Sequence, residues 1–224
     1  MRADSTELSS KKTIGDWKAI QPQLSAGADS GIWKQVLDDF YYDRLKTRYL
    51  DPIRAISDLK LSKGEGFAIV AIQCSLIEFL ESCFQGINYA HQSPTRWWFG
   101  GFYLRLFPCF KSAPQHTYKD SAKIFISFLT TRDPFRQCFK SKALARDFYK
   151  SVRCGVLHES RTKGAWLVHD KSGSALIFDP SGPILYRDDF QEAIERFIAN
   201  YVAAVPNEPQ LQQAFIRKFD HLCV

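Results

Sequence analysis

Between Phe67 and Gly86 the chain reads FAIVAIQCSLIEFLESCFQG, apolar on most faces, a pattern that predicts a central helix buried on all sides. Its polar exceptions Ser75, Glu78, Ser82 and Gln85 follow i, i+3, i+4 steps and fall on one narrow stripe. Upstream, a long helix is expected after Asp29-Ser30, with apolar positions Ile32, Trp33, Val36, Leu37, Phe40, Tyr41 and Leu45. Pro52 either kinks it or starts a second segment through Ile56. Further helices are predicted at about 118–131 and 142–158, separated by the Asp133-Pro134 break. The period then changes to that of strands. AWLVH, ALIFDP and ILYR, joined by DKSGS and SGP, predict a small antiparallel β meander at about 164–187. An amphipathic helix from Asp188 to about Val205 and a short one after Pro209 end the chain.

The fold class read from this pattern is mainly α, a helical bundle with the meander attached. Residues 1–29, polar throughout, are expected to form a flexible arm. Residues 30–205 form the helical domain, and 206–224 a short C-terminal helix. RWWFGGFYLRLFPCFK at 96–111 lies in a loop-like stretch. It either stacks unpaired bases while its cations hold phosphates, or folds onto the core as an apolar flap with arginines at its rim.

With 45% hydrophobic and 14% aromatic residues the composition is that of a folded chain. The six cysteines show no Cys-x-x-Cys pair and no regular spacing, which fits buried thiols better than a disulfide frame or a zinc site. No apolar leader opens the sequence, and the apolar run Gly66 to Leu80 is shorter than the roughly 20 residues of a spanning helix. The expectation is therefore a cytoplasmic protein with no membrane contact. No phosphate loop, nucleophile elbow or His-Glu-x-x-His occurs, so no cofactor and no metal is expected. The net charge is +6, and its placement matters more than its size. From Arg132 to Lys163 there are nine basic and three acidic residues, so this stretch carries the whole excess. Either it is a solvated helix face or it meets a polyanion.

The helix at 142–158 crosses that stretch and carries VRCGVLHE. At about 100° per residue, Leu144, Ala145, Phe148, Tyr149, Val152, Gly155 and Val156 share one arc, facing the core or a partner. Lys142, Arg146, Lys150 and Arg153 line one edge of it and His158 lies near the other. Arg153 and His158 then point roughly 140° apart. Gly155 could bend the helix and bring them together. Alternatively the apolar seam packs on a second copy, so that arginine and histidine meet across a two-fold axis. The ordinary reading stands beside both: a histidine near a helix C-terminus is favoured there by the helix dipole. A buried Glu78 needs a cation or donors, and Arg153 is a candidate.

The Arg153-x4-His158 spacing late in a long helix, the preceding DFYKSVRCGVLHES and the buried helix AIVAIQCSLIEFLESCFQG resemble the HEPN superfamily of all-helical domains. The resemblance covers roughly residues 64–160. It implies a homodimer paired through the motif helix and, in many members, a metal-independent endoribonuclease of defence or toxin–antitoxin systems. RNA and an antitoxin or defence protein are thus the implied partners. Within it Arg153 and His158 are the catalytic pair, Glu78, Cys154 and Gly155 support them, and Lys142, Arg146 and Lys150 hold RNA phosphates. The family commonly has Asn, Asp or His directly after the arginine, where this chain has Cys154, a poor hydrogen-bonding group. Inactive members that only dimerise or bind RNA are also implied.

Overall fold

The computed structural model describes residues 2–24, 28–61, 63–90, 116–174, 177–179 and 181–224. The aromatic segment 96–111 lies outside the described residues. The chain is mainly helical with two small sheets. Helix α1 (Ile14–Ile20) comes first. Helix α2 then runs without interruption over 30–58 from its N-cap Asp29, whose carboxylate accepts the Gly31 N–H. Leu37–Tyr42 and Lys46–Leu50 within it are π-helical. The second π segment stands directly before Pro52. A proline ring cannot face the carbonyl four residues back, so the widened turn lets the helix continue where a kink was one of the two expectations.

The apolar run forms α3 (Glu65–Gln85), the centre of the molecule. It is long and apolar enough to cross a membrane by length and composition, but more than half of it is packed inside the fold. Gly86 ends it at φ +63°, and a side chain there would meet the Ala214 backbone at 2.5 Å, so only glycine permits this close crossing. Against α3 pack α2, α4 (Ser121–Thr131), α6 (142–159), α7 (Arg187–Ala204) and α8 (Pro209–Leu222). The short α5 (Phe135–Cys138) joins α4 to α6. One continuous core results. Trp17, Trp33, Phe40, Tyr41, Phe215 and Phe219 fill one end, and Phe125, Phe128, Phe148 and Phe190 the other.

Two expectations are corrected here. Residues 2–24 are not a free arm, since Leu8, Ile14, Trp17 and Leu24 are buried. Trp17 packs edge-on against Phe40 and its indole N–H donates to Asp220 at 2.9 Å. The C-terminal helix is likewise not a short appendage: α8 has 14 residues and lends Phe215 and Phe219 to the same core.

The strands after α6 match the expected antiparallel meander only in part. β3 (Leu167–His169), β4 (Phe178–Asp179) and β5 (Ile184–Tyr186) lie in the order β3-β5-β4, with β3 parallel and β4 antiparallel to β5. The chain after β3 is held by the start of α7 instead of turning back as a hairpin. The Asp188 N–H donates to the Asp170 carbonyl, the Ser172 N–H to the Asp189 carboxylate, and Arg187 pairs with Asp170 at 3.0 Å. A second, two-residue parallel pair joins β1 (Asn88–Tyr89) to β2 (Thr117–Tyr118).

Candidate functional site

The motif helix α6 is an α-helix over Lys142–Phe148, a π-helix over Tyr149–Cys154 and an α-helix again over Gly155–Glu159. Its start is conventional: the Ser141 hydroxyl caps it by accepting the Leu144 N–H. The π segment is what a uniform 100° wheel misses. An i→i+5 turn holds more residues than an α turn and changes the direction of every side chain that follows. Ala145, Phe148, Val152 and Val156 are buried as expected, and Ser151 joins them. Arg153 turns inward from the row of Lys142, Arg146 and Lys150, which are exposed, and its side chain is only 17% accessible.

Arg153 meets Glu78 of α3, Nη2 to Oε2 at 3.4 Å. That carboxylate is itself anchored, since Oε1 accepts from the Ser121 hydroxyl at 2.6 Å and from the Tyr118 hydroxyl at 3.3 Å. Ser121 opens α4 and Tyr118 ends β2, so three elements fix the acid while the arginine rests on it through one long contact. The guanidinium lies 5.3 Å from the Tyr149 ring centre, and its Nε is buried without a partner among the described residues. Burial works against the charged guanidinium, but Tyr149, Glu78 and Cys154 around it more than offset this and hold its pKa above the usual value. Burial likewise pushes Tyr149 up to about 12, so its hydroxyl stays protonated. Cys154, half-buried, lies within hydrogen-bonding reach of both Tyr149 and Arg153.

His158 is exposed, one residue after Leu157, which is 42% accessible. Its side chain makes no hydrogen bond or ion pair with Arg153 or with any other described residue. Gly155 does not bend the helix; its φ and ψ of −59° and −51° are helical. Its missing side chain serves the return of the chain instead. A Cβ would lie 2.5 Å from the Arg161 carbonyl oxygen, where the segment 161–163 crosses the helix and the Lys163 N–H donates to the Ser151 carbonyl at 2.8 Å. The helix ends two residues beyond His158, at Ser160 in the left-handed region. Of the two ways to unite the pair, bending is therefore removed. The apolar seam offered for a second copy is also occupied, because it is buried within its own chain against α3 and α4.

Around this site the sequence pointed to Glu78 and not to Ser121, Tyr118 or Tyr149, which reach it only through the tertiary fold. It also passed over Glu81, the one fully buried carboxylate of α3. Arg132 grips Glu81 with two donors, Nε to Oε2 at 2.8 Å and Nη2 to Oε1 at 3.1 Å, while lying 3.6 Å from the Phe84 ring centre. Gln85 and Ser127 also donate to it. The i+3 step from Glu78 was the available signal. Five of the six cysteines are described and all five are free thiols, and burial pushes Cys74 and Cys83 up to about 12. Among known proteins no family model matches the chain, and no curated protein and no solved structure matches it.

Proposed function

We propose that the chain is a HEPN-type, metal-independent endoribonuclease whose site is completed by two copies, each contributing the C-terminal end of α6. The observation that carries this reading is the state of Arg153. It is held cationic and tethered to an anchored acid through one long contact, on the same helix that ends in an exposed His158. A guanidinium with spare donors is suited to the extra negative charge of a phosphorane-like transition state. A neutral His158 would take the ribose 2′-hydroxyl proton. The 2′-oxygen then bonds to phosphorus, the bond to the 5′-oxygen breaks, and that oxygen takes up a proton from the imidazolium. The products are a 2′,3′-cyclic phosphate and a 5′-hydroxyl, so RNA is cut and DNA is spared.

The test is purified chain incubated with RNA in excess EDTA. Cleavage to cyclic-phosphate ends by the wild type, lost in His158→Ala and in Arg153→Ala, is the expected result. If wild type and His158→Ala leave RNA equally intact while both bind it, the nuclease reading fails. A second reading then takes its place, a non-catalytic module that binds RNA or a protein through the same face. It is favoured by Cys154 standing where the related domains carry a stronger hydrogen-bonding group, and by the lack of contact between Arg153 and His158 within one chain.

A further inference from the structure

Lys142 and Arg146, which the family resemblance gives to RNA phosphates, line a cleft of about 440 Å³ between α4 and α6 that neither Arg153 nor Glu78 lines. Lys123 stands on its α4 side and Lys142 and Arg146 on its α6 side; all three are exposed and none forms an ion pair among the described residues. No Asp or Glu occurs among the residues outside the described set, so none of the three has a carboxylate waiting there. The one acid at the mouth, Asp120, is engaged as the N-cap of α4, accepting the Lys123 N–H at 3.2 Å. The α4 wall is hydroxylic, with Ser127, Thr130 and Thr131. Each of their protons is already committed: Ser127 donates to Glu81 at 3.0 Å, Thr130 to the Ile126 carbonyl at 2.8 Å and Thr131 to the Ser127 carbonyl at 2.8 Å. These hydroxyls therefore offer a ligand their acceptor lone pairs and no donor.

We infer that this cleft seats the ribose-phosphate backbone of single-stranded RNA next to the cleavage site, an inference that rests on the nuclease reading for its direction toward Arg153. Unpaired cations take the phosphates. Acceptor oxygens with no proton to give suit a ligand that donates, as the ribose 2′-hydroxyl does and deoxyribose does not. The volume suits one nucleotide unit. Neighbouring helices pack about 8–10 Å apart, and the groove between them is too narrow to admit a duplex. Arg146 lies about 10 Å along the helix axis from Arg153, the reach of a few nucleotides.

The experiment uses the His158→Ala chain, fluorescein-labelled oligouridylate, its deoxy counterpart and an RNA duplex. Single-stranded RNA should bind more tightly than DNA, and the duplex should not compete. Adding Lys123→Ala, Lys142→Ala and Arg146→Ala should lower the slope of log affinity against log salt by about 2, at roughly 0.7 per cation. Their melting temperature should be unchanged, since all three side chains are exposed. Thr130→Val should weaken RNA about five-fold and leave DNA unaffected. An unchanged salt slope in the triple variant, equal competition by the duplex, or equal affinity for RNA and DNA would overturn the inference. Cleavage by the intact chain together with an unchanged slope removes the cleft and keeps the nuclease; a lowered slope with no cleavage removes the nuclease and keeps the cleft.

Discussion

A methyl group on Gly155 would stand 2.5 Å from the Arg161 carbonyl oxygen, a backbone atom that cannot swing aside. Alanine is the better helix former by about 1 kcal/mol, but the overlap forces the 161–163 return to shift at a cost of about 1–3 kcal/mol. Gly155→Ala is thus expected to destabilise the chain, seen as a lower urea midpoint; a higher midpoint would show that the crossing is soft. The two acids of α3 separate stability from function in the same way. Glu81 is fully buried and gripped twice by Arg132, so Glu81→Ala, which leaves a half-buried guanidinium without its acid, should cost about 3 kcal/mol. Glu78 meets Arg153 through a single 3.4 Å contact, and Glu78→Gln, which keeps an acceptor for Ser121 and Tyr118, should cost only about 1 kcal/mol. If the proposed function holds, that same mild variant lowers RNA cleavage while Glu81→Ala chiefly lowers the amount of folded protein. Equal urea midpoints for the two variants would contradict this ranking.

At the scale of elements, the N-terminal segment is fastened to α2 by groups that titrate. Asp43, buried in α2, accepts from the Ser10 N–H at 2.8 Å and from its hydroxyl at 2.6 Å. Burial pushes the carboxyl up, but the Ser10 donors and the nearby Lys11 outweigh it and hold its pKa below the ordinary value of 3.8. Its contribution is therefore present in full above about pH 4 and is lost as pH falls through the depressed folded value. Wild type and Asp43→Asn should differ in urea midpoint at pH 7 and converge below pH 4; a gap that persists at low pH would assign the effect to shape instead of charge. Why this segment escaped a reading of the sequence is plain from its residues. Leu8, Ile14 and Trp17 are too few and too widely spaced to show a period, and the one local signal is the capping box of Thr13 and Asp16. The long helices were legible because α3 is apolar all round and α2 begins at an Asx cap. The π segments were not, since they leave no compositional mark and alter the wheel only after the backbone is known. At the site the expected Arg153–Glu78 contact is present, but a uniform wheel leaves Arg153 in the row of Lys142, Arg146 and Lys150, and the π turn over Tyr149–Cys154 is what turns it inward onto Glu78.

The whole molecule decides whether Arg153 and His158 can act together. Gly155 is helical and the apolar seam is spent inside the chain, so on α6 the surface proposed for a second copy is its end around Leu157 and His158. That end is nearly charge-balanced, because Glu159 pairs with Lys163 at 2.6 Å and with Arg161 at 3.4 Å. Lys142, Arg146 and Lys150, which form no ion pair among the described residues, lie two to four turns away, so two copies could meet there without bringing those cations together. Pairing is expected to show as a dimer in sedimentation, with Leu157→Asp shifting it to the monomer; a wild type that stays monomeric at high concentration removes a shared site. Mixing then distinguishes a shared site from two private ones. In a dimer of one Arg153→Ala chain with one His158→Ala chain, a site built across the interface retains both groups once and lacks both once. A site built within a chain lacks one group in each copy. If subunits exchange freely at equal amounts, half the dimers are mixed and half their sites are intact, so about a quarter of wild-type cleavage should return from two variants that are each inert. Silence in the mixture, with both variants shown to be folded and paired, would place both groups of each site in one chain and overturn the site shared between copies.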